Sequence, residues 1–555
     1  MSNILKNTYS MQDMPYMEYA DNVEEYDMKK RNRHYRSLKI QAVGAWLFTV
    51  SILLLAIFHD HISYSNEIQM VLTIPVLLFF GASFYSDAWK HIHVGHSSMD
   101  ILVALSASVA FLFSLFNTFF PESWYSFGLE PDVYYEVTVF IIAVGLTGKL
   151  LHFLPEELHN DERIAGTILP SLLGISVFVF FMWIIFGGMA MLPHAVYSII
   201  TVLIIACPCA LGMAVPLALM RGISKAAEKH IWIRNTIALE RLDKVDVVVF
   251  DKTGTLTEGR PTVTAWLWAQ AQETYFKGIL LAAEMNSDDS LAVAVTATLK
   301  EENIIPVQLE SYEILKGKGV KVVYRGITYW VGSHKLLKDY QVFLSDVLGD
   351  MLVEYESDGC SMVYFGRGNE LLSIIAVKDQ VMPASLAVVK ELRGQDIEIC
   401  MLTGDGQRTA SSVAGSLGII HYISDALPDD KKTFIRELQL QGKTVAMVGD
   451  GVTDIQALSC ANVSIVMNKD ADSTNEGAMV AMKSADLLLL PRLFRLSRHT
   501  IRLMFQNSFW AVIFHLVGVL IAAGILYPVY GVLLNPLLAT VVIALSCISI
   551  LLNRF

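Results

Sequence analysis

Charged residues are scarce in this 555-residue chain, and cysteines are scarcer still. Only 17% of the residues are Asp, Glu, Lys or Arg, whereas 54% are hydrophobic. A soluble protein of this length would not be so apolar, so the composition indicates a membrane protein with a soluble insertion. The six cysteines are spread out and suggest no disulfide framework. The net charge of -12 argues against a nucleic-acid partner.

A cleavable signal sequence is also missing, because Met1–Lys29 is polar and acidic. Eight apolar stretches are long enough to cross a bilayer, at about 20 residues each. The loops after the first, third, fifth and seventh stretches carry no Lys or Arg, whereas a basic cluster precedes the first. We therefore expect an integral protein of the lipid bilayer, in the bacterial plasma membrane, with both termini cytoplasmic. The stretches lie near residues 40–58, 68–88, 99–120, 133–154, 168–191, 194–220, 508–527 and 531–552.

The large insertion between the sixth and seventh stretches shows two patterns. Its outer parts, 221–262 and 375–492, alternate apolar strands with helices, which predicts a doubly wound parallel α/β sheet. Its inner part, 263–374, mixes short strands with helical stretches and predicts an α+β lobe over the active site. The strands of the outer parts are placed at 245–250, 397–402 and 443–448. The remaining divisions are a cytoplasmic tail at 1–38, six spans at 39–220 and two spans at 506–555.

The insertion is organised around Val245–Glu258, VDVVVFDKTGTLTE. The apolar run before Asp251 predicts a buried strand that delivers this carboxylate to the sheet edge where α/β proteins place their chemistry. A carboxylate in that position can attack a phosphoryl group and become an acyl phosphate. DKTGTLT resembles, residue for residue, the phosphorylation motif of the P-type ATPases. The resemblance implies ATP as the donor, Asp251 as the acceptor, and Lys252 and Thr253 as catalytic neighbours.

Further stretches in the expected order strengthen this resemblance. TGD ends an apolar strand, and the catalytic Thr403, Gly404 and Asp405 can cradle phosphate oxygens. Lys431, in LPDDK, supplies a cation for developing charge. Such turns are ordinary singly, but together they resemble the haloacid-dehalogenase-like core of P-type ATPases.

The stretch GDGVTD adds two more carboxylates. Asp450 would bind Mg²⁺ together with Asp251 and the backbone of Thr253, because Mg²⁺ prefers hard oxygen ligands. Asp454 would support this set of ligands. The family usually has Asn before the last Asp, where this chain has Thr453, so we expect weakened Mg²⁺ or phosphate contacts there.

The inner lobe resembles the family's nucleotide-binding domain less closely. Gly317, Gly319 and Gly332 match its glycine turns, which let the backbone approach a nucleotide. The His-Pro pair that packs near the adenine in the family is missing from Ser287–Ala292. The sequence therefore leaves the affinity for ATP open.

The sixth apolar stretch contains CPC. In an unbroken helix Cys207 and Cys209 would point about 200° apart, but Pro208 removes a hydrogen bond and breaks the helix between them. Two thiolates at a broken transmembrane helix suit a soft ion such as Cu(I), and CPC resembles the heavy-metal branch of the P-type ATPases. The alternative is two small apolar cysteines beside a kink.

Other positions of the family's transport site differ from its usual residues. His515 of the seventh stretch and Ser546 and Cys547 of the eighth stand where the copper branch has its ligands, and Met99 matches an ion-entry position. Core packing is as good an account of His515 as ligation. Neither stretch has a central Asp, Glu or Lys, which disfavours Zn²⁺ or Cd²⁺. Cu(I) and Ag(I) are not distinguished.

Two family domains are not found in the sequence. The loop at 155–166 is too short for the actuator domain, whose Thr-Gly-Glu loop directs dephosphorylation, and no Thr-Gly-Glu occurs. No CxxC occurs either, so we expect no amino-terminal metal-binding domain. Phosphorylation of Asp251 needs only residues that are present, whereas turnover normally needs the actuator. We therefore expect a long-lived phosphoenzyme.

Three functions remain open from the sequence. The first is ATP-driven export of Cu(I), with an impaired cycle or an actuator supplied by another chain, and with a soluble copper chaperone as the implied ion donor. The second is a non-pumping membrane protein that binds metal or regulates, with a vestigial ATPase core. The third is a phosphatase, which Lys252 and Thr253 disfavour.

Overall fold

The computed structural model describes two compact units, Met1–Arg221 with His499–Phe555, and Gly222–Arg498. The helices of the first unit up to the insertion are α1 (Met14–Ile57), α2 (Ser65–Pro75), α3 (Ala82–Val94), α4 (Met99–Phe119), α5 (Glu122–Tyr125), α6 (Tyr135–His152), α7 (Asp161–Gly187), α8 (Leu192–Ile205) and α9 (Cys209–Ala227). The described residues are 14–94, 98–125, 131–152, 161–205, 209–269, 273–287, 289–315, 317–344, 346–451, 454–467, 477–482, 486–531, 533 and 536–553.

Helix α6 forms the centre of the helical unit. Its side chains Tyr135, Ile141 and Leu146 are fully buried, because the helix packs against both α1 and α4. The indole of Trp46 on α1 donates a hydrogen bond to Thr147 Oγ1 at 2.9 Å. Apolar packing on most sides and a polar contact between helices are typical of a helix in the interior of a membrane bundle.

A network of ion pairs joins the middle of α3 to the start of α4 and the end of α6. Lys149 Nζ lies 2.9 Å from Asp87 Oδ2 and 3.0 Å from Asp100 Oδ1, and also 4.3 Å from the centroid of the Phe84 ring. Lys90, which is 72% exposed, is paired with the other oxygen of Asp87 at 3.0 Å. One lysine thus compensates carboxylates on two neighbouring helices.

We expect Lys149→Met to lower the free energy of unfolding by about 1–2 kcal/mol, because it leaves Asp100 uncompensated. The loss should be below the value for a fully buried pair, since Asp87 and Asp100 keep 33% and 19% of their side-chain exposure. Thermal unfolding of the full chain in detergent measures it. The matched control is Lys90→Met, which should change little; equal losses in both variants would contradict the prediction.

The second unit contains two sheets and most of the remaining elements. Its first half holds β1 (Ile231–Ile233), α10 (Ile237–Leu242), β2 (Val247–Asp251), β3 (Thr262–Trp268), α11 (Glu273–Glu284), α12 (Ser290–Glu301), β4 (Ser311–Leu315), β5 (Gly319–Tyr324), β6 (Ile327–Gly332), α13 (Lys335–Asp339), α14 (Asp346–Ser357), β7 (Ser361–Arg367) and β8 (Glu370–Lys378). Its second half holds α15 (Ser385–Arg393), β9 (Glu398–Leu402), α16 (Gln407–Leu417), β10 (His421–Ile423), α17 (Pro428–Leu440), β11 (Val445–Gly449), α18 (Ile455–Cys460), β12 (Val463–Met467) and β13 (Val480–Met482).

The larger sheet has the strand order β1-β13-β12-β11-β2-β9-β10, and every pair except β1 with β13 is parallel. Strands β2, β11 and β12 are buried along their whole length, which explains their continuous apolar sequences. Because β9, β2 and β11 are parallel neighbours, their carboxyl ends meet at one edge of the sheet. The predicted parallel α/β domain is confirmed.

The smaller sheet is antiparallel and has the order β3-β8-β7-β6-β5-β4. It runs from Thr262 to Lys378 and encloses the predicted lobe at 263–374. Helices α11 and α12 pack on this sheet, and their shared core includes Phe276, Val295 and Phe365. The lobe leaves the larger sheet directly after β2 and returns to it before α15, so both of its connections lie near the candidate nucleophile.

The chain returns to the helical unit through α19 (Leu489–Ala522), α20 (Tyr527–Tyr530) and α21 (Pro536–Leu552). Within the described residues, five helices are long and apolar enough to cross a membrane, or six if Ser65–Phe80 and Ala82–Val94, bent by 56°, form one span. The bend falls at Gly81, after the five residues Val76–Phe80 that follow Pro75. Helical membrane segments are therefore confirmed, whereas the count of eight spans remains a prediction.

Candidate phosphoryl-transfer site

The candidate nucleophile, Asp251, lies at the carboxyl end of β2. After it the chain turns through Lys252–Leu256, where Gly254 has φ +70°, a conformation that residues with a Cβ rarely adopt. Asp251 is 3% exposed and stands where open α/β sheets bind their ligands. The local sequence thus produces a strand, a tight turn and a buried carboxylate between them.

Two side chains outside the predicted site hold this turn in place. The backbone N–H of Gly254 donates to Thr257 Oγ1 at 3.2 Å, and the Thr257 hydroxyl lies 2.5 Å from Asp379 Oδ2. Both Thr257 and Asp379 are buried. Thr257 belongs to the DKTGTLT motif, but Asp379 follows β8 at the end of the lobe, and only the fold brings it here.

Lys431 connects two buried carboxylates. Its Nζ lies 2.6 Å from Asp251 Oδ1 and 2.7 Å from Asp454 Oδ1. Lys431 is in the first turn of α17 and Asp454 immediately precedes α18, and these helices pack against each other. The three predicted residues therefore form one charge cluster at the end of the sheet.

The charges of this cluster are unbalanced, because one lysine faces several carboxylates. Burial raises the pKa of Asp251 to about 7; Lys431 lowers this pKa, whereas Asp454 and Asp450 raise it. Burial alone would lower the pKa of Lys431, but Asp251 and Asp454 outweigh it and raise that pKa. Added positive charge at this place would therefore be favourable.

The TGD turn carries a second ion pair beside the first. Lys252 is paired with Asp405 Oδ2, and both side chains are nearly buried. The backbone N–H of Asp405 donates to Thr403 Oγ1 at 3.1 Å. Burial would raise the pKa of Asp405, but Lys252 outweighs burial, and hydrogen bonds from Ser361 and Thr403 help to lower this pKa. Gly404 lies between Thr403 and Asp405 and contributes no side chain to the site.

The oxygen atoms at this edge fit a Mg²⁺ ion. Asp251 ends β2, and Asp450 follows the neighbouring parallel strand β11. A Cβ on Gly254 would lie 3.8 Å from Asp450 Cβ, so the turn after Thr253 passes close to Asp450. Carboxylate and backbone oxygens are the ligands Mg²⁺ prefers, and the excess of carboxylates over lysines favours a cation. Thr453 lies outside the described residues.

The predicted nucleotide-binding glycines lie at one end of a strand pair. Gly319 of β5 is opposite Gly332 of β6, and a Cβ on either would come within 2.0 Å of the other strand's backbone oxygen. A Cβ on Gly317 would lie 2.7 Å from Leu427 Cδ2, at the start of α17. Strand pairing alone therefore requires glycine at Gly319 and Gly332, while Gly317 brings the lobe next to the helix of Lys431.

The stretch that lacks the family's histidine contains a residue with a local structural role. Asp289 is the N-cap of α12, and its Oδ1 accepts a hydrogen bond from the backbone N–H of Leu291 at 2.9 Å. Asp288 lies outside the described residues. On the helix before it, Glu284 is buried, and burial raises its pKa to about 8. The sequence did not single out this carboxyl group.

The CPC stretch is only partly described. Cys207 and Pro208 lie outside the described residues. Cys209 begins α9, and only its backbone is described. Helix α8 ends at Ile205. The paired thiolates and the break between them therefore remain predictions.

The other predicted ligands of the ion are spread over three helices. Met99 begins α4, and its Cε lies 3.5 Å from the Cβ position of Gly212, one turn after the CPC stretch. His515 Nδ1 is 2.8 Å from the Ala511 carbonyl oxygen. Ser546 and Cys547 of α21 are both buried. Within the described residues, no three His, Cys, Asp or Glu side chains converge on a metal position.

The fold and the site define a haloacid dehalogenase-like domain, and a family model described as a haloacid dehalogenase-like hydrolase matches residues 245–462. The chain is 38% identical over 395 residues to the silver exporting P-type ATPase of Salmonella typhimurium, covering 71% of this chain and 48% of that protein. It is 28% identical over 674 residues to the probable copper-transporting ATPase PacS of Synechococcus elongatus, covering 97% of this chain and 89% of that protein. The chain is therefore similar to P-type ATPases named as silver or copper transporters, over 71% and 97% of its own length.

A solved structure supports the same fold. The crystal structure of a zinc-transporting PIB-type ATPase in the E2.Pi state matches with a TM-score of 0.67 at 20% identity, covering 93% of this chain and 98% of that chain. The chain spans about half the length of the first curated relatives it matches, 48% and 53%. Its alignment with PacS is longer than the chain itself, so that relative contains residues with no counterpart here.

Proposed function

We propose that the chain exports a soft monovalent metal ion, with Cu(I) as the first candidate, and couples this export to phosphorylation of Asp251 by ATP. The observation that carries the proposal is the buried Asp251–Lys431–Asp454 cluster beside the Lys252–Asp405 pair. Such a cluster holds a nucleophile, two lysines and a cation-attracting excess of carboxylates at one sheet edge. The names of the relatives, which include silver and copper exporters, support the choice of cargo.

In the proposed reaction, a carboxylate oxygen of Asp251 attacks the γ-phosphorus of ATP. The new O–P bond forms as the bond between the γ-phosphorus and the bridging oxygen breaks, and ADP leaves. Lys431 and Lys252 would balance charge on the transferred group, while Thr403 and the TGD backbone orient its oxygens. Bound Mg²⁺, held by Asp251, Asp450 and the Thr253 backbone, would neutralise phosphate charge.

The lobe would bring the nucleotide to Asp251. Gly317 approaches the start of α17, so a nucleotide bound near the glycine end of β5 and β6 would lie beside the helix that carries Lys431. Backbone approach is possible there because these glycines have no side chain. Adenine recognition must use residues other than the family's histidine, since Asp289 serves as a helix cap.

The cargo would pass through the helical unit. Thiolates of Cys207 and Cys209 suit Cu(I) or Ag(I), and Met99, next to the start of α9, would deliver the ion to them. His515, Ser546 and Cys547 would complete the pathway. This requires the eight-span arrangement with cytoplasmic termini in the bacterial plasma membrane, and a soluble copper chaperone would supply the ion.

We propose further that turnover is impaired. The segment 155–166 leaves no room for an actuator domain, and the longer relatives are consistent with a part that this chain lacks. Formation of the acyl phosphate would proceed, whereas its hydrolysis would be slow unless another chain supplies the actuator. A non-pumping role is the alternative if phosphorylation does not respond to metal.

Labelling of the purified full chain with γ-labelled ATP and Mg²⁺ tests this function. We expect an acid-stable, hydroxylamine-sensitive label that increases with Cu(I) and persists after a chase with unlabelled ATP. Rapid metal-stimulated ATP hydrolysis at steady state would contradict the impaired cycle. Absence of the label would contradict the ATPase, and a label that ignores Cu(I) would favour the non-pumping alternative.

A further inference from the structure

Ser361 brings the nucleotide lobe into direct contact with the phosphoryl-transfer site. It is the first residue of β7, and its hydroxyl donates a hydrogen bond to Asp405 Oδ1 at 2.9 Å. The other oxygen of this carboxylate is paired with Lys252, which follows the nucleophile directly. Ser361 is buried and the Asp405 side chain is 13% exposed, so little water competes with this hydroxyl for the carboxylate.

Neighbouring contacts join the same two parts without reaching the site. The buried Thr409 hydroxyl of α16 donates to the carbonyl oxygen of Cys360 at 2.7 Å, and Ser412 Oγ donates to the carbonyl of Ser357 at 2.6 Å. These bonds tie the end of α14 and the start of β7 to α16, the helix that follows the TGD turn. They lie beside the site without contacting its charges, whereas the Ser361 hydroxyl contacts the charged network itself.

We propose that Ser361 is a positioning residue that links the seating of the nucleotide lobe to the orientation of Asp405 and, through it, of Lys252. The carboxylate of Asp405 is held by Lys252 from the larger-sheet domain and by Ser361 from the lobe, so we expect its orientation to depend on both being in place. Lys252 would then be directed toward the transferred phosphoryl group only when the lobe is seated. This inference rests on the proposed phosphorylation of Asp251.

The kinetic test compares Ser361→Ala with Ser361→Thr and Thr409→Val in the full chain. Because Ser361 contacts Asp405 rather than the nucleotide, Ser361→Ala should slow acyl-phosphate formation at saturating ATP by roughly tenfold while the KM for ATP stays nearly unchanged. Ser361→Thr keeps the hydroxyl and should restore the rate. Thr409→Val removes a buried bond between the same elements and should label at the wild-type rate. Equal slowing in Ser361→Ala and Thr409→Val would overturn the proposal.

A second measurement needs no turnover. Hydrogen exchange of the TGD segment reports on the turn that carries Asp405, whose amide donates to Thr403 Oγ1. We expect Ser361→Ala to speed exchange there several-fold and Thr409→Val to leave it unchanged. Unchanged exchange in Ser361→Ala would overturn the proposal. If the wild-type chain forms no acyl phosphate, the proposed function fails, and the exchange result still decides whether Ser361 orients the turn.

Discussion

Lys431→Met is expected to abolish labelling by ATP and to lower the free energy of unfolding by about 3–5 kcal/mol. Lys431 stands between Asp251 and Asp454, and all three side chains are at least nine-tenths buried. Removing the lysine leaves two carboxylates without their shared cation, and an uncompensated buried charge costs more than most lost contacts. Thermal unfolding of the full chain and acid-stable labelling measure the two effects.

Two further variants make this prediction specific. Lys432→Met removes the same charge from the next residue of α17, outside the cluster, and should stay close to wild type in both measurements. Adding Asp454→Asn to Lys431→Met removes one of the two stranded charges, so it should recover part of the stability but none of the label. A Lys431→Met chain as stable as Lys432→Met would show that the cluster is not held by this lysine.

The strands that form the site could be predicted from sequence because their apolar runs are continuous and end in polar turns. The runs at 245–250, 397–402 and 443–448 became β2, β9 and β11 with boundaries shifted by at most two residues. The three-residue strands β1, β10 and β13 were not predicted, because three residues are too few to show a period. The antiparallel pairing of β1 follows from contacts far apart in the chain.

The site residues could be predicted where they lie in motifs of known order, and not elsewhere. Asp251, Lys431 and Asp454 could be named because each lies in a motif with a known order. Ser361 and Asp379 could not, because each is an ordinary residue in its own stretch and reaches the site only through the fold of the lobe.

Some residues that match a family motif also have a local structural role that explains them. Asp289 occupies the stretch where the family has a nucleotide contact, yet Asp before a helix is a strong N-cap, and the structure uses it in that way. Gly319 and Gly332 match nucleotide turns, yet the close approach of their strands already excludes a Cβ. In both cases a structural requirement accounts for the residue without a ligand, which is why these positions carry less weight than the charge cluster.

Asp251→Asn should abolish the label and at the same time stabilise the chain at neutral pH, by about 2 kcal/mol in the absence of Mg²⁺. The pKa of Asp251 is raised from its ordinary value to about 7 in the folded state, by burial first and by the neighbouring carboxylates as well. The folded state therefore binds more protons than the unfolded state between about pH 4 and pH 7, and the contribution of this group to stability falls as the pH rises through that window. The Asn side chain does not ionise in this range. The gain in stability of the variant over the wild type should therefore be absent near pH 4 and complete above pH 7.

Thermal unfolding in chelator from pH 5 to pH 8, in the wild type and the variant, measures this difference directly. Asp429→Asn, an exposed position on α17, is the control and should run parallel to the wild type at every pH. Adding Mg²⁺ should reduce the stability difference between the variant and the wild type above pH 7. A cation held by Asp251 and Asp450 stabilises the wild-type carboxylate, whereas the variant offers one carboxylate ligand fewer. A variant that is less stable than the wild type at pH 8 without Mg²⁺ would mean that Lys431 fully compensates both carboxylates. The excess negative charge that favours Mg²⁺ at this edge would then be absent, and Asp251 would not lower the stability of the folded state in return for its function.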